Sequence, residues 1–122
     1  MIEKNHSIGL ATDVGGGSSF SMLRTMSAAY EIAQLKGQSI TPLQLLWLST
    51  LGAAKTLKLD HCIGSLNINN HADFIILNLK STPLIEKKYI NAVSFEERLF
   101  STIILGDDRA IDSVWVKGQK LK

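Results

Sequence analysis

Asp13 is the residue in this sequence best placed for chemistry. It closes a short apolar run, Ile8 to Thr12, and is followed by Gly15, Gly16 and Gly17 and then by an amphipathic stretch beginning near Phe20. Such a pattern predicts strand, turn and helix, and a carboxylate at the carboxyl end of a strand is where α/β enzymes present reacting groups. The same side chain could instead cap the following helix or hydrogen-bond the glycine turn, and the residues alone leave these roles open. The three glycines lack the spacing of a dinucleotide fingerprint and the lysine of a phosphate loop. They read as a sharp turn that lets the backbone approach a neighbour closely.

The other residues capable of metal or nucleophilic chemistry are scattered. His6, His61, His71 and Cys62 form no HxH, HExxH or CxxC pair, so they are expected to be ordinary loop or packing residues. Trp47, Trp115 and Phe74 fall at core periodicity. A single cysteine cannot form an intramolecular disulfide, and no charged-then-apolar leader opens the chain; a reducing, cytoplasmic setting is the expectation.

The elements that must position Asp13 are read from periodicity and stop signals. Met22, Met26, Ala29 and Ala33 predict a helix over Phe20–Lys36, ended by Gly37. Thr41-Pro42-Leu43-Gln44 is a capping box with proline at the first helical position. It predicts a helix whose face carries Leu43, Leu46, Trp47, Leu51, Ala54 and Leu57. From Asp60 the chain turns β-rich: Ala72–Leu79 reads as a buried strand, Pro83 as part of a loop, and Ser94-Phe95-Glu96-Glu97 as a second capping box before a helix ended by Gly106. Asp107-Asp108-Arg109 forms a turn, Ile111–Val116 a strand, and Lys117-Gly118-Gln119 a tight reversal into a last short strand. No repeat or flexible linker interrupts the chain.

Composition bounds the partners. The 122 residues, 45% hydrophobic, suit one ordinary packed unit. A net charge of +2, from 13 Lys and Arg against 11 Asp and Glu, supplies no field for nucleic acid. The apolar-leaning stretch Leu43–Leu59 is broken by polar and charged residues, so no membrane insertion is expected.

The segment Thr12-Asp13-Val-Gly-Gly-Gly-Ser-Ser-Phe-Ser-Met-Leu-Arg-Thr-Met26 closely resembles that around the last metal ligand of guanine deaminases, within the amidohydrolase superfamily. Thr50–Asp60, Ile63-Gly-Ser-Leu66 and Ala72-Asp73-Phe74 resemble the superfamily's passage from its barrel into its small β domain. Leu105-Gly-Asp-Asp-Arg109 and Val114-Trp-Val-Lys-Gly118 resemble the family's C-terminal end. The resemblance implies an α/β fragment corresponding to the family's C-terminal portion. Residues 1–59 would be the end of a (β/α)₈ barrel, with its last strand and following helices, and residues 60–122 the C-terminal strands of the small β-sandwich domain.

It also implies a chemistry. Guanine deaminases hold zinc with an HxH pair, two further histidines and one aspartate, and Asp13 matches that aspartate as metal ligand and catalytic residue. Zinc would lower the pKa of a bound water, the carboxylate would accept its proton, and hydrolysis would turn guanine into xanthine and ammonia. Gly15–Gly17 would let the loop pass close to substrate, with Phe20 and Met22 as further lining candidates. The other zinc ligands and the purine-reading residues belong to parts of the family that this chain does not match. The chain alone is therefore expected to be inactive, to retain no zinc and, with strand edges and apolar faces uncovered, to form a homo-oligomer. The alternatives are a non-catalytic oligomerisation module derived from an amidohydrolase, or a deaminase of another aminated heterocycle.

Overall fold

A computed structural model describes residues 7–122. The elements run α1 (Met22–Leu35), α2 (Pro42–Ser49), α3 (Leu51–Thr56), β1 (Phe74–Leu77), α4 (Pro83–Asn91), α5 (Phe95–Leu105), a 3₁₀ turn (Asp108–Ala110), β2 (Ile111–Val116) and β3 (Gln119–Lys120).

Local signals explain most of these boundaries. Gly37, at φ +65°, ends α1. Its N–H donates to the Gln34 carbonyl and that of Gln38 to Ala33, the paired bonds of a Schellman ending. The Thr41 capping box is complete: the Gln44 N–H donates to Thr41 Oγ1 (3.2 Å) and the Thr41 N–H to Gln44 Oε1 (2.8 Å). At α5 the reciprocal bond is shifted by one residue. Ser94 Oγ accepts from the Glu97 N–H, but Glu97 Oε2 accepts from Val93 rather than from Ser94.

Four expectations are corrected, the first being the buried strand over Ala72–Leu79: the strand spans Phe74–Leu77, and its Ile75 and Ile76 are exposed because the sheet is left largely uncovered there. The helix after Thr41 is two helices, broken at Thr50, where the backbone turns to φ −128°, ψ −100°. The break lets Gly52 sit under the Trp47 indole, where a Cβ would come within 2.7 Å of the ring. Burial therefore falls on Leu45, Leu48 and Ala54, whereas Leu43, Trp47 and Leu57 are exposed. Pro83, read as part of a loop, instead opens α4. Thr82 Oγ1 accepts the Ile85 N–H, and proline occupies the first turn, where no intrahelical donor is needed. Finally, Ile8–Thr12 forms no strand among the described residues, because a strand exists only through a ladder. The segment's one backbone hydrogen bond there is from the Leu10 N–H to the Leu48 carbonyl, 2.9 Å.

The core gathers Leu23 and Met26 from α1, Leu45 from α2, Leu99 and Ile103 from α5 and Ala110 from the 3₁₀ turn. It thus joins residues from both sides of position 60. Tyr30 and Phe100 meet edge to face at 5.0 Å and extend the α1–α5 contact. The sheet is antiparallel in the order β1-β2-β3, with Phe74 paired to Trp115 in register and stacked on it at 5.5 Å.

Candidate functional site

Two contacts aim the chain at Asp13. Gly9 passes so close to α3 that a Cβ would lie 2.7 Å from the Ala53 Cα, and the Leu10–Leu48 hydrogen bond fixes the next residue on α2. The backbone then reverses. Asp13 stands at φ +50° and Gly15 at φ +103°, left-handed values that Asp tolerates better than most residues and that Gly adopts freely. The Asp13 carbonyl accepts the N–H groups of Gly16 and Gly17. A Cβ on Gly16 would lie 2.7 Å from Asp13 Oδ2, and one on Gly17 would run into the Thr12 carbonyl oxygen. The glycines are thus dictated by close approach, to the carboxylate at one position and to backbone at the other.

The alternatives open for Asp13 are now separable. Its carbonyl, not its side chain, closes the glycine turn, and α1 is capped at Ser21, eight residues on, without a side-chain capping bond. The exposed carboxylate makes no hydrogen bond or ion pair with another described residue. Beside it, Val14, Gly15, Gly17, Ser18, Ser19 and Phe20 line a hollow of about 90 Å³. Phe20 is among the residues lining this hollow and Met22 is not.

Among the described residues no group of three or more His, Cys, Asp or Glu side chains converges. Cys62 Sγ lies 3.4 Å from the Leu59 carbonyl, and the His71 backbone N–H donates to the Cys62 carbonyl at 2.8 Å. Neither contact builds a ligand set, and His6 lies outside the described residues. Asp13 is a single donor, and one carboxylate does not hold zinc. These residues by themselves do not fit a metal centre.

Two side-chain anchors lie outside the Asp13 turn. One is Asp73, whose Oδ1 accepts the Lys117 N–H at 2.7 Å and so ties the β2–β3 turn to the residue preceding β1. The other is the corner after α5. Asp107 caps the Arg109 N–H at 3.0 Å and holds the Arg109 guanidinium through Nε and, at 2.7 Å, Nη2. The Arg109 guanidinium, then its backbone N–H, depress the Asp107 pKa below the ordinary carboxylate value, and Asp107 raises that of Arg109. A larger open trough of about 670 Å³ lies between the Ile8–Leu10 segment, α1 and α2. Its walls include Ile32 and Ile40, and its lining has no acidic, histidine or cysteine side chain.

Comparison with known proteins supplies the context. The sequence pattern of the amidohydrolase family matches residues 1–121. The guanine deaminase of Escherichia coli is 39% identical over 117 residues, 96% of this chain and 27% of the relative. The human guanine deaminase is 32% identical over 124 residues, covering 93% of this chain and 27% of its own length. The E. coli guanine deaminase structure superposes with a TM-score of 0.91 over 95% of this chain and 27% of its own. That of Bradyrhizobium japonicum gives 0.84 at 26% identity, over 95% and 31%. The chain thus spans about 27% of the length of these curated relatives. Among the described residues no helix is long and apolar enough to cross a membrane.

Proposed function

The chain belongs to the amidohydrolase family, and from that premise we propose that it is the C-terminal part of a guanine deaminase, an enzyme of hydrolytic deamination acting on guanine. In this reading residues 1–59 complete a (β/α)₈ barrel and residues 60–122 belong to the small β-rich domain. Asp13 is the chain's contribution to the reaction centre, as metal ligand and catalytic carboxylate. The observation that carries the proposal is the state of Asp13 itself. Its backbone is fixed by Gly9, Leu10 and the glycine turn, while its carboxylate is engaged by no described residue. A carboxylate positioned this way and bonded to no described residue is available for ligand or substrate.

Zinc is proposed for the complete enzyme only, since no set of three or more His, Cys, Asp or Glu donors converges among the described residues. The isolated chain is proposed to be inactive, metal-free and a homo-oligomer. The trough beside Ile8–Leu10 and exposed side chains such as Ile32 and Phe20 give it apolar surface to cover. Sedimentation of a single monomeric species at micromolar concentration would count against that last point. A cytosolic setting and the absence of nucleic-acid or membrane partners belong to the same reading.

The direct test is a chimera in which this chain replaces the matching segment of the E. coli guanine deaminase. The expected chimera binds zinc and releases ammonia from guanine, with an Asp13→Asn version at least about 10³-fold slower. A zinc-loaded, folded chimera that releases no ammonia from guanine would refute the proposal that this chain completes such an enzyme. One indifferent to Asp13→Asn would refute the role.

A further inference from the structure

We infer that the Leu105–Arg109 corner positions the Asp13 turn, with Gly106 and Asp107 as the positioning residues. Gly106 ends α5, its N–H donating to the Thr102 carbonyl at 2.8 Å. A Cβ there would lie 2.8 Å from Leu23 Cδ1 and would also strike the Thr102 oxygen. Leu23 is buried in the first turn of α1, the helix into which the glycine loop runs. The bare backbone at position 106 is therefore a surface on which that first turn rests.

Asp107 fixes the direction the chain takes on leaving Gly106. It closes the 3₁₀ turn onto Arg109 and so delivers Ala110, fully buried, into the cluster containing Leu23. The Ala110 carbonyl then accepts the Asn78 N–H at 2.8 Å, anchoring the corner to the residue after β1. Arg24, next to Leu23, places a second positive charge near Asp107. An exposed ion pair between residues two apart contributes little to global stability. Its effect is local: it holds a corner against α1, and only a short loop separates α1 from Gly16 and Gly17, whose N–H groups close on Asp13.

Amide hydrogen exchange on the 122-residue chain tests this without reference to activity. Asp107→Ala is expected to speed exchange at Gly16 and Gly17 about tenfold while leaving α4 and β2 unchanged. Asp107→Asn, which keeps an acceptor for the Arg109 N–H, is expected to restore most of the protection, and Asp108→Ala to have no effect. Gly16 and Gly17 rates that do not move in Asp107→Ala, that are unprotected in the parent chain, or that rise together with those of α4 and β2 would overturn the inference. Gly106→Ala should act more strongly, and should it prevent folding the Asp107 series still decides.

A second arm rests on the proposed function: in the chimera, Asp107→Ala should lower kcat about tenfold with KM for guanine unchanged. A parent chimera that does not deaminate guanine refutes the function and leaves the exchange result standing. An active one whose kcat ignores Asp107→Ala refutes the positioning role alone.

Discussion

The Asp13 turn and the Lys117-Gly118 turn use the same backbone device to different ends. Each places a charged residue at φ +50° and bends through a glycine in the left-handed region, Gly15 at +103° and Gly118 at +77°. At the second turn, successive left-handed residues match the twist of the flanking strands, as a two-residue hairpin requires. An aspartate then locks it: Asp73 accepts the Lys117 N–H, and the Gly118 N–H donates to the Ala72 carbonyl at 3.1 Å. At the first turn the aspartate lies inside the strained segment and, among the described residues, only its backbone carbonyl is used. One carboxylate is committed to holding a fold and the other is held by one.

The sharpest way to break this contrast is to neutralise each aspartate in turn. Asp13→Asn in the complete chimeric enzyme should cost about 10³-fold or more in kcat, with little change in the melting temperature. Asp73→Ala should do the reverse, removing about 1–2 kcal/mol of stability by depriving the Lys117 N–H of a charged acceptor. Guanine turnover per folded molecule should stay within about twofold, since the lesion lies in the hairpin. Steady-state kinetics paired with chemical denaturation read both. Equal effects of the two substitutions on stability would mean that the Asp13 carboxylate also holds structure.

The glycines provide the next test. Gly17→Ala forces a methyl onto the Thr12 carbonyl oxygen, a backbone collision with no flexible side chain to yield, and should destabilise the turn by about 3 kcal/mol or more. Gly118→Ala meets nothing closer than the Ala72 Cβ at 3.9 Å. Its cost should be only the left-handed penalty, about 1–2 kcal/mol. Circular dichroism melts of the two variants should separate them clearly.

This contrast also marks how much was legible in the sequence. The hairpin was readable because Lys117-Gly118 sits between a clear strand and a short polar tail. The placement of Asp13 before a glycine turn and α1 was readable too, because glycine clusters and a following helical period are local signals. Residue order did not reveal that the Asp13 carboxylate would bond no described residue while Asp73 acquires a partner 44 positions away. Sequence distance conceals such pairings. Thr82-Pro83 repeats the Thr41-Pro42 signal and likewise starts a helix, but it lacks the glutamine that completes a capping box and its helix is weakly apolar. The split at Thr50 was hidden for another reason. An apolar run of this kind reads as one helix unless the seat of Trp47 over Gly52 is known. Nor could Ile8–Thr12 be a strand by pattern alone, since an apolar run says only that a segment is suited to burial and pairing requires a neighbour.

A third aspartate sharpens the comparison at its weakest point, where a carboxylate is committed but only half-buried. The Asp107 pKa lies below its ordinary value of 3.8, mainly through its hydrogen bonds to the Arg109 side chain and backbone. The unfolded chain therefore takes up this proton at a higher pH than the folded one. The stability contributed by the Asp107–Arg109 bonds is fully present above the ordinary carboxylate value and is lost as pH falls through the lowered folded value. Solvent access to the pair keeps the effect small, so it should emerge as a difference between variants. The stability gap between the parent chain and Asp107→Asn should be constant from neutral pH to about pH 5 and should close below pH 4. Urea denaturation at several pH values measures it. No gap at neutral pH would show that the cap geometry shared by Asp and Asn, rather than the charge paired with Arg109, holds this corner.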